Sequence, residues 1–176
     1  MFKETSKELL DFLSKSPTAF HAVENYRQIL NADGFKELLE SEHWDIVPGG
    51  KYYVTRNNTS ILAFKVGTKL DNYSFNIVTS HTDSPTFKVK ENAEIEVKNK
   101  YTQLNTEGYG GMLCATWLDR PLSIAGRVLV SEGNSIVTKL LNIDRDLLMI
   151  PNVAIHMNRA ANDGFKYNLQ VDMLPL

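Results

Sequence analysis

The chain has 176 residues, 43% of them hydrophobic and 23% charged, which is the size and balance of an ordinary globular domain with its own core. Its formal net charge of −2 gives no electrostatic reason to expect nucleic acid or an anionic membrane as a partner. A single cysteine, Cys114, excludes an internal disulfide, and with four histidines it does not make up a zinc-finger ligand set. No apolar run approaches membrane-spanning length, and residues 1–8 carry no apolar signal core. The expected compartment is therefore the cytoplasm, whose reducing conditions suit a lone thiol.

In chain order, Thr5 or Ser6 is expected to cap a first helix bearing Leu9, Leu10, Phe12 and Leu13. It stops near Ser14-Lys15-Ser16-Pro17. Thr18 caps a second helix, with Phe20, Val23, Tyr26, Ile29 and Leu30 along one side, ending at Asp33-Gly34. His21, in its first turn, reads as a surface or cap residue. The spacing allows a short third helix over residues 35–42. Two strand-like runs, 51–56 and 60–66, flank Asn57-Asn58-Thr59, a hairpin signal. Asn57 and Asn58 also open glycosylation sequons, but turn chemistry accounts for them. Residues 67–73 read as a polar connection.

The stretch on which the chain is organised follows. Phe75, Ile77 and Val78 read as a short buried strand running into Ser80-His81-Thr82-Asp83, with Pro85 ending it. Side chains at the carboxyl end of a strand in an α/β sheet face an open crevice. His81 and Asp83, two apart, project to one face of an extended backbone. An imidazole that binds a metal through one nitrogen needs an acceptor for the other, and a carboxylate supplies it. The alternative is a turn histidine with Asp83 capping the backbone, and spacing leaves both open.

After Pro85 the pattern turns to alternation. Residues 87–90 and 93–98 read as half-exposed strands with paired charges. Further strands are expected at 112–117, 127–130, 135–143 and 147–150, with Gly133-Asn134 as a turn. Cys114 is expected to be a small buried side chain. The glycines of 108–111 match no phosphate-binding loop. Asp119 and Arg120 read as a turn held by a charge pair. His156 follows an apolar run and reads, on spacing, as a core or interface histidine. A serine hydrolase using Ser80 or Ser84 would need a Gly-x-Ser-x-Gly elbow, which the chain lacks. The first 85 or so residues thus read α/β and the remainder mostly β, α+β by overall content.

Several stretches together resemble the aspartyl aminopeptidase family of zinc exopeptidases. They are Ser16-Pro17-Thr18-Ala19-Phe20-His21, Ser80-His81-Thr82-Asp83-Ser84-Pro85, Tyr109-Gly110-Gly111, Thr116-Trp117-Leu118-Asp119-Arg120-Pro121-Leu122-Ser123, and Ile150-Pro151 through Ala154-Ile155-His156. They occur in the family's order over nearly the whole chain. Pro121 stands where many members carry an acidic residue, which bears on subfamily and substrate preference.

The resemblance implies part of a zinc-exopeptidase-like α/β catalytic domain over residues 1–88, followed by part of an inserted β-rich dimerisation domain over 89–176. It implies removal of N-terminal residues, acidic ones in the namesake enzymes, by a water activated between two zinc ions about 3.5–4 Å apart. It implies peptide substrates and homo-oligomers, dimers or dodecamers, with no nucleic acid or membrane partner. His81 is the implied zinc ligand, Asp83 the carboxylate that orients it, and His156 a residue that reaches a neighbouring subunit's site to hold substrate or the developing oxyanion. Glu107, Asp144, Asp146, Asp163 and Asp172 match none of the family's remaining ligand motifs. The expectation is therefore an incomplete amino-terminal portion, inactive alone and binding zinc weakly. The alternative is a non-catalytic assembly module that keeps the oligomerisation domain.

Overall fold

A computed structural model describes residues 2–71 and 74–176. Asn72 and Tyr73, in the expected polar connection, lie outside the described residues. The mixture of helices and small sheets makes the chain α+β. It divides into two compact units: residues 1–83 with 125–142, and residues 84–124 with 143–176.

In the first unit, helix α1 spans Phe2–Ser14 and α2 spans Ala19–Ala32. Helix α1 begins earlier than its expected caps, and Ser6 instead donates its hydroxyl back to the carbonyl of Phe2. Thr18 caps α2 as expected, from an extended backbone, and its side chain accepts from the His21 N–H. The helix ends in a Schellman motif, with Gly34 N–H on Asn31 O and Phe35 N–H on Leu30 O. Gly34 takes φ +79 there, which glycine adopts at no steric cost.

Residues 35–42 do not form the expected third helix. Lys36–Glu37 is strand β1, parallel to β2 (Lys51–Arg56) with Lys36 opposite Tyr52 and Glu37 opposite Tyr53. Leu38 N–H continues the contact to Tyr53 O. Pairing with a distant strand here outweighs the helical propensity of Glu-Leu-Leu-Glu. Arg27 Nη2 on α2 meets Glu37 at 2.7 Å, and the Tyr53 hydroxyl meets Asn31 at 3.0 Å, tying the helix to the sheet.

Strand β3 (Ser60–Lys65) pairs antiparallel with β2 across Asn57-Asn58-Thr59. Asn57 and Asn58 both have positive φ, which asparagine tolerates better than most residues. Val23, Tyr52 and Tyr53 form the core of this unit.

The buried strand expected at 75–78 is absent. These residues are in no ladder, and Phe75, Ile77 and Val78 are 82%, 77% and 98% exposed. A strand forms only beside a partner that takes its backbone hydrogen bonds, and no described strand lies beside this one. The other part of the first unit is the hairpin of β6 (Ala125–Glu132) and β7 (Ser135–Asn142), turned at Gly133-Asn134 as expected. The Arg127 guanidinium lies 4.5 Å from the centre of the Phe20 ring, an arrangement favoured by the ring's negative face.

In the second unit, the two expected strands 87–90 and 93–98 are one long strand, β4 (Thr86–Val97), paired with β5 (Tyr101–Tyr109). A register shift between Val89 and Glu94 marks where they join. The strand expected at 112–117 is instead a 3-10 helix over Cys114–Trp117. There the Thr116 hydroxyl binds Leu113 O at 2.8 Å, a local bond that competes with a ladder. Trp117 meets Phe87 edge to face. Cys114 is partly exposed, not buried. The strand expected at 147–150 is reduced to two bridges, Leu122 with Leu148 and Leu118 with Ile150. On its other side, Met149 and Leu176 exchange two backbone hydrogen bonds. Ile150, Met173 and Leu174 form the apolar core here, with Thr106 among them. No helix among the described residues is long and apolar enough to cross a membrane.

Candidate functional site

His81 and Asp83 lie in the first unit, on the segment after residues 75–78. The backbone there is irregular rather than extended, yet the two residues do meet. His81 Nδ1 lies 2.7 Å from the Asp83 backbone oxygen and 3.3 Å from its carboxylate Oδ1. With the proton on Nδ1, that nitrogen donates to the carbonyl, and the Nε2 lone pair is left to bind elsewhere. The His81 side chain is 80% exposed. The backbone oxygen is thus the nearer of the two acceptors, a detail that residue spacing does not reveal.

Thr82, between them, is held differently. Its hydroxyl donates to Thr59 O at 2.6 Å, fastening the segment to the tip of the β2–β3 hairpin. Nothing in the spacing of residues 59 and 82 signals this bond.

His156 belongs to the second unit and is exposed in a turn whose Met157 N–H binds Ala154 O at 2.8 Å. It is neither a core residue nor part of a strand. Upstream, the Asp119 N–H donates to Ile150 O at 2.9 Å, and Asp119 Oδ1 accepts the Asn152 N–H at 2.9 Å. The charge pair expected between Asp119 and Arg120 is not among the ion pairs of the described residues, because that carboxylate faces the backbone of residue 152. His21 stands by Thr18, its Nδ1 2.8 Å from the hydroxyl. Burial pushes its pKa down, as desolvation disfavours the charged ring.

An open concavity of about 410 Å³ lies along β4 and β5, lined by Val89, Lys90, Glu91, Asn92, Asn105 and Glu107. None of His81, Asp83 and His156 lines it.

A structural zinc ion takes four ligands and a catalytic one takes three from protein. Among the described residues no group of three or more His, Cys, Asp and Glu side chains is gathered to hold a metal. His81 offers one nitrogen with its partner nitrogen oriented, and these residues alone do not fit a zinc ion.

Residues 12–176 match the family model described as Aminopeptidase I zinc metalloprotease (M18). The chain is 51% identical over 174 residues to the probable M18 family aminopeptidase 2 of Clostridium novyi, covering 97% of this chain and 40% of that protein. It is 46% identical to the aspartyl aminopeptidase of Dictyostelium discoideum, covering 97% of this chain and 36% of that protein. Among solved structures, it is similar to a chain of the complex of Ape4 and Nbr1, with TM-score 0.93 and 41% identity over 99% of this chain and 34% of that one. It is also similar to the mApe1 dodecamer of S. cerevesiae, with TM-score 0.79 and 27% identity over 99% of this chain and 38% of that one. The chain spans about 40% of the length of the C. novyi relative.

Proposed function

The chain belongs to the M18 family of zinc metallo-aminopeptidases, and we propose that it serves the removal of N-terminal residues from peptides. The observation that carries this reading is the match of residues 12–176 to the family model, a span that includes His81, Asp83 and His156. An acidic N-terminal preference is part of the proposal, supported by the likeness to the D. discoideum aspartyl aminopeptidase. So are two zinc ions per complete site, a cytoplasmic setting, and a homo-oligomer, the last supported by the dodecameric neighbour.

On this reading residues 1–88 belong to the catalytic domain and 89–176 to the inserted dimerisation domain. The Asp83 backbone oxygen accepts a hydrogen bond from the protonated Nδ1 of His81 and fixes the ring, so that Nε2 is left as the ligand nitrogen. The remaining ligands come from polypeptide other than these 176 residues. His156, on its exposed turn, is placed to meet the substrate bound at a neighbouring subunit. The chain by itself is inactive and binds zinc weakly.

The test measures zinc content and hydrolysis of N-terminal Asp, Glu and Leu substrates. It uses this chain alone and this chain completed with the portion of a relative's length that it does not match. Activity with about two zinc ions per subunit only in the completed form is the expected result. A completed form that folds but stays metal-free and inactive overturns it in favour of an assembly module. Activity from the 176-residue chain alone overturns the prediction that it is inactive.

A further inference from the structure

We propose that Asp119 is a positioning residue for His156, holding both sides of Pro151 so that the His156 turn leaves the core from one fixed point. This rests on the reading that His156 meets substrate. Proline has no N–H, so residue 151 cannot itself donate a hydrogen bond to hold the segment entering the turn. Asp119 supplies the missing constraint from 33 residues away in sequence. Its N–H binds the carbonyl of Ile150, just before the proline, and its carboxylate binds the N–H of Asn152, just after it, both at 2.9 Å. Ile150 is fully buried, so one end of this clamp is set in the core. The Asn152 side chain then accepts the N–H of Val153 at 2.9 Å, and the bond between Met157 N–H and Ala154 O closes the turn. Hydrogen bonds thus hold the segment at Ile150, Asn152 and Val153, and a separate bond closes the Ala154–Met157 turn that carries His156.

The backbone of Asp119 points to the same role. Its φ is +55, a left-handed conformation that most side chains resist and Asp and Asn tolerate. That conformation lets one residue present its N–H and its carboxylate to two successive parts of the same segment. Glycine would take the backbone angle without strain but would lack the acceptor. Asparagine would keep both the angle and an acceptor oxygen. The position therefore separates three properties by substitution.

The experiment compares Asp119→Asn, Asp119→Gly, Asp119→Ala and His156→Ala. Amide hydrogen exchange of residues 152–157 is followed in the 176-residue chain, and kcat and KM in the aminopeptidase completed as above. Loss of the carboxylate bond in D119A and D119G is expected to speed exchange at Asn152 and Val153 on the order of tenfold, while D119N keeps the wild-type rate. In the completed enzyme, D119G lowers kcat with little change in KM, and D119N restores it. Unchanged exchange in D119G overturns the clamp. So does wild-type kcat in D119G where H156A is impaired. Full activity in H156A overturns the underlying reading of His156 and the positioning role with it, and the exchange rates show that failure to be separate from a failure of the clamp. Comparing D119G with D119A keeps the test sound if one variant folds poorly.

Discussion

The hydroxyl of Thr82 donates to the backbone carbonyl of Thr59 at 2.6 Å. One side-chain bond therefore connects the segment carrying His81 and Asp83 to the tip of the β2–β3 hairpin. The residues before it, 75–78, are in no ladder and are exposed, so this bond has a large share in placing the two site residues.

Thr82→Val keeps the shape and removes the donor. It is expected to destabilise the first unit by about 1 kcal/mol, the net worth of a typical hydrogen bond, and to speed amide exchange over residues 80–84. Thr82→Ser should restore both. Equal exchange in the Val and Ser variants would show that the hydroxyl does not anchor the segment.

Thr106 is 2% exposed, and among the described residues its hydroxyl has no hydrogen-bond partner. It sits in the second unit, whose core includes Met173 and Leu174. An unsatisfied buried hydroxyl carries a desolvation cost that a methyl group of similar shape does not. Thr106→Val is therefore expected to raise stability by about 1 kcal/mol in urea unfolding. A loss of stability would mean that the hydroxyl has a partner, such as a bound water.

Burial lowers the His21 pKa below the ordinary histidine value of 6.5. The folded state then binds fewer protons than the unfolded state in the interval just below that value. The contribution of this residue to stability is complete above pH 6.5 and falls as pH drops toward the lowered folded value. His21→Gln is expected to flatten the stability profile in that interval, as read by unfolding midpoints at closely spaced pH. An unchanged profile would assign the pH dependence to other groups.

Phe75, Ile77 and Val78 expose three apolar side chains within four residues, a patch of the kind that drives association. The 176-residue chain is expected to self-associate in light scattering. Replacing Phe75 and Val78 by Ser should reduce the associated fraction while leaving zinc content and helix content unchanged. A monodisperse monomer of the unsubstituted chain would sink the prediction.

Local features were legible in the residues. Thr18 announced the start of α2 and Asp33-Gly34 its end, because caps depend on a few neighbouring backbone groups. Asn57-Asn58 and Gly133-Asn134 announced their hairpins, because only some residues take positive φ easily. The pairing of His81 with Asp83 was legible for the same reason, being only two residues apart. The order of motifs along the chain was also enough to name the family, which the match over residues 12–176 then established.

The tertiary structure decided what depends on distant partners. Residues 36–37 became a strand because β2 lay beside them, while 75–78 formed no strand because no described strand did. The β6–β7 hairpin joined the first unit although it follows most of the second in sequence. Asp119 faced the backbone of Asn152 instead of its neighbour Arg120. A cap or a turn is settled within a few residues of chain, so its chemistry is written there. A ladder or a long-range hydrogen bond needs a donor and an acceptor that sequence order does not bring together, and only the folded chain supplies that proximity.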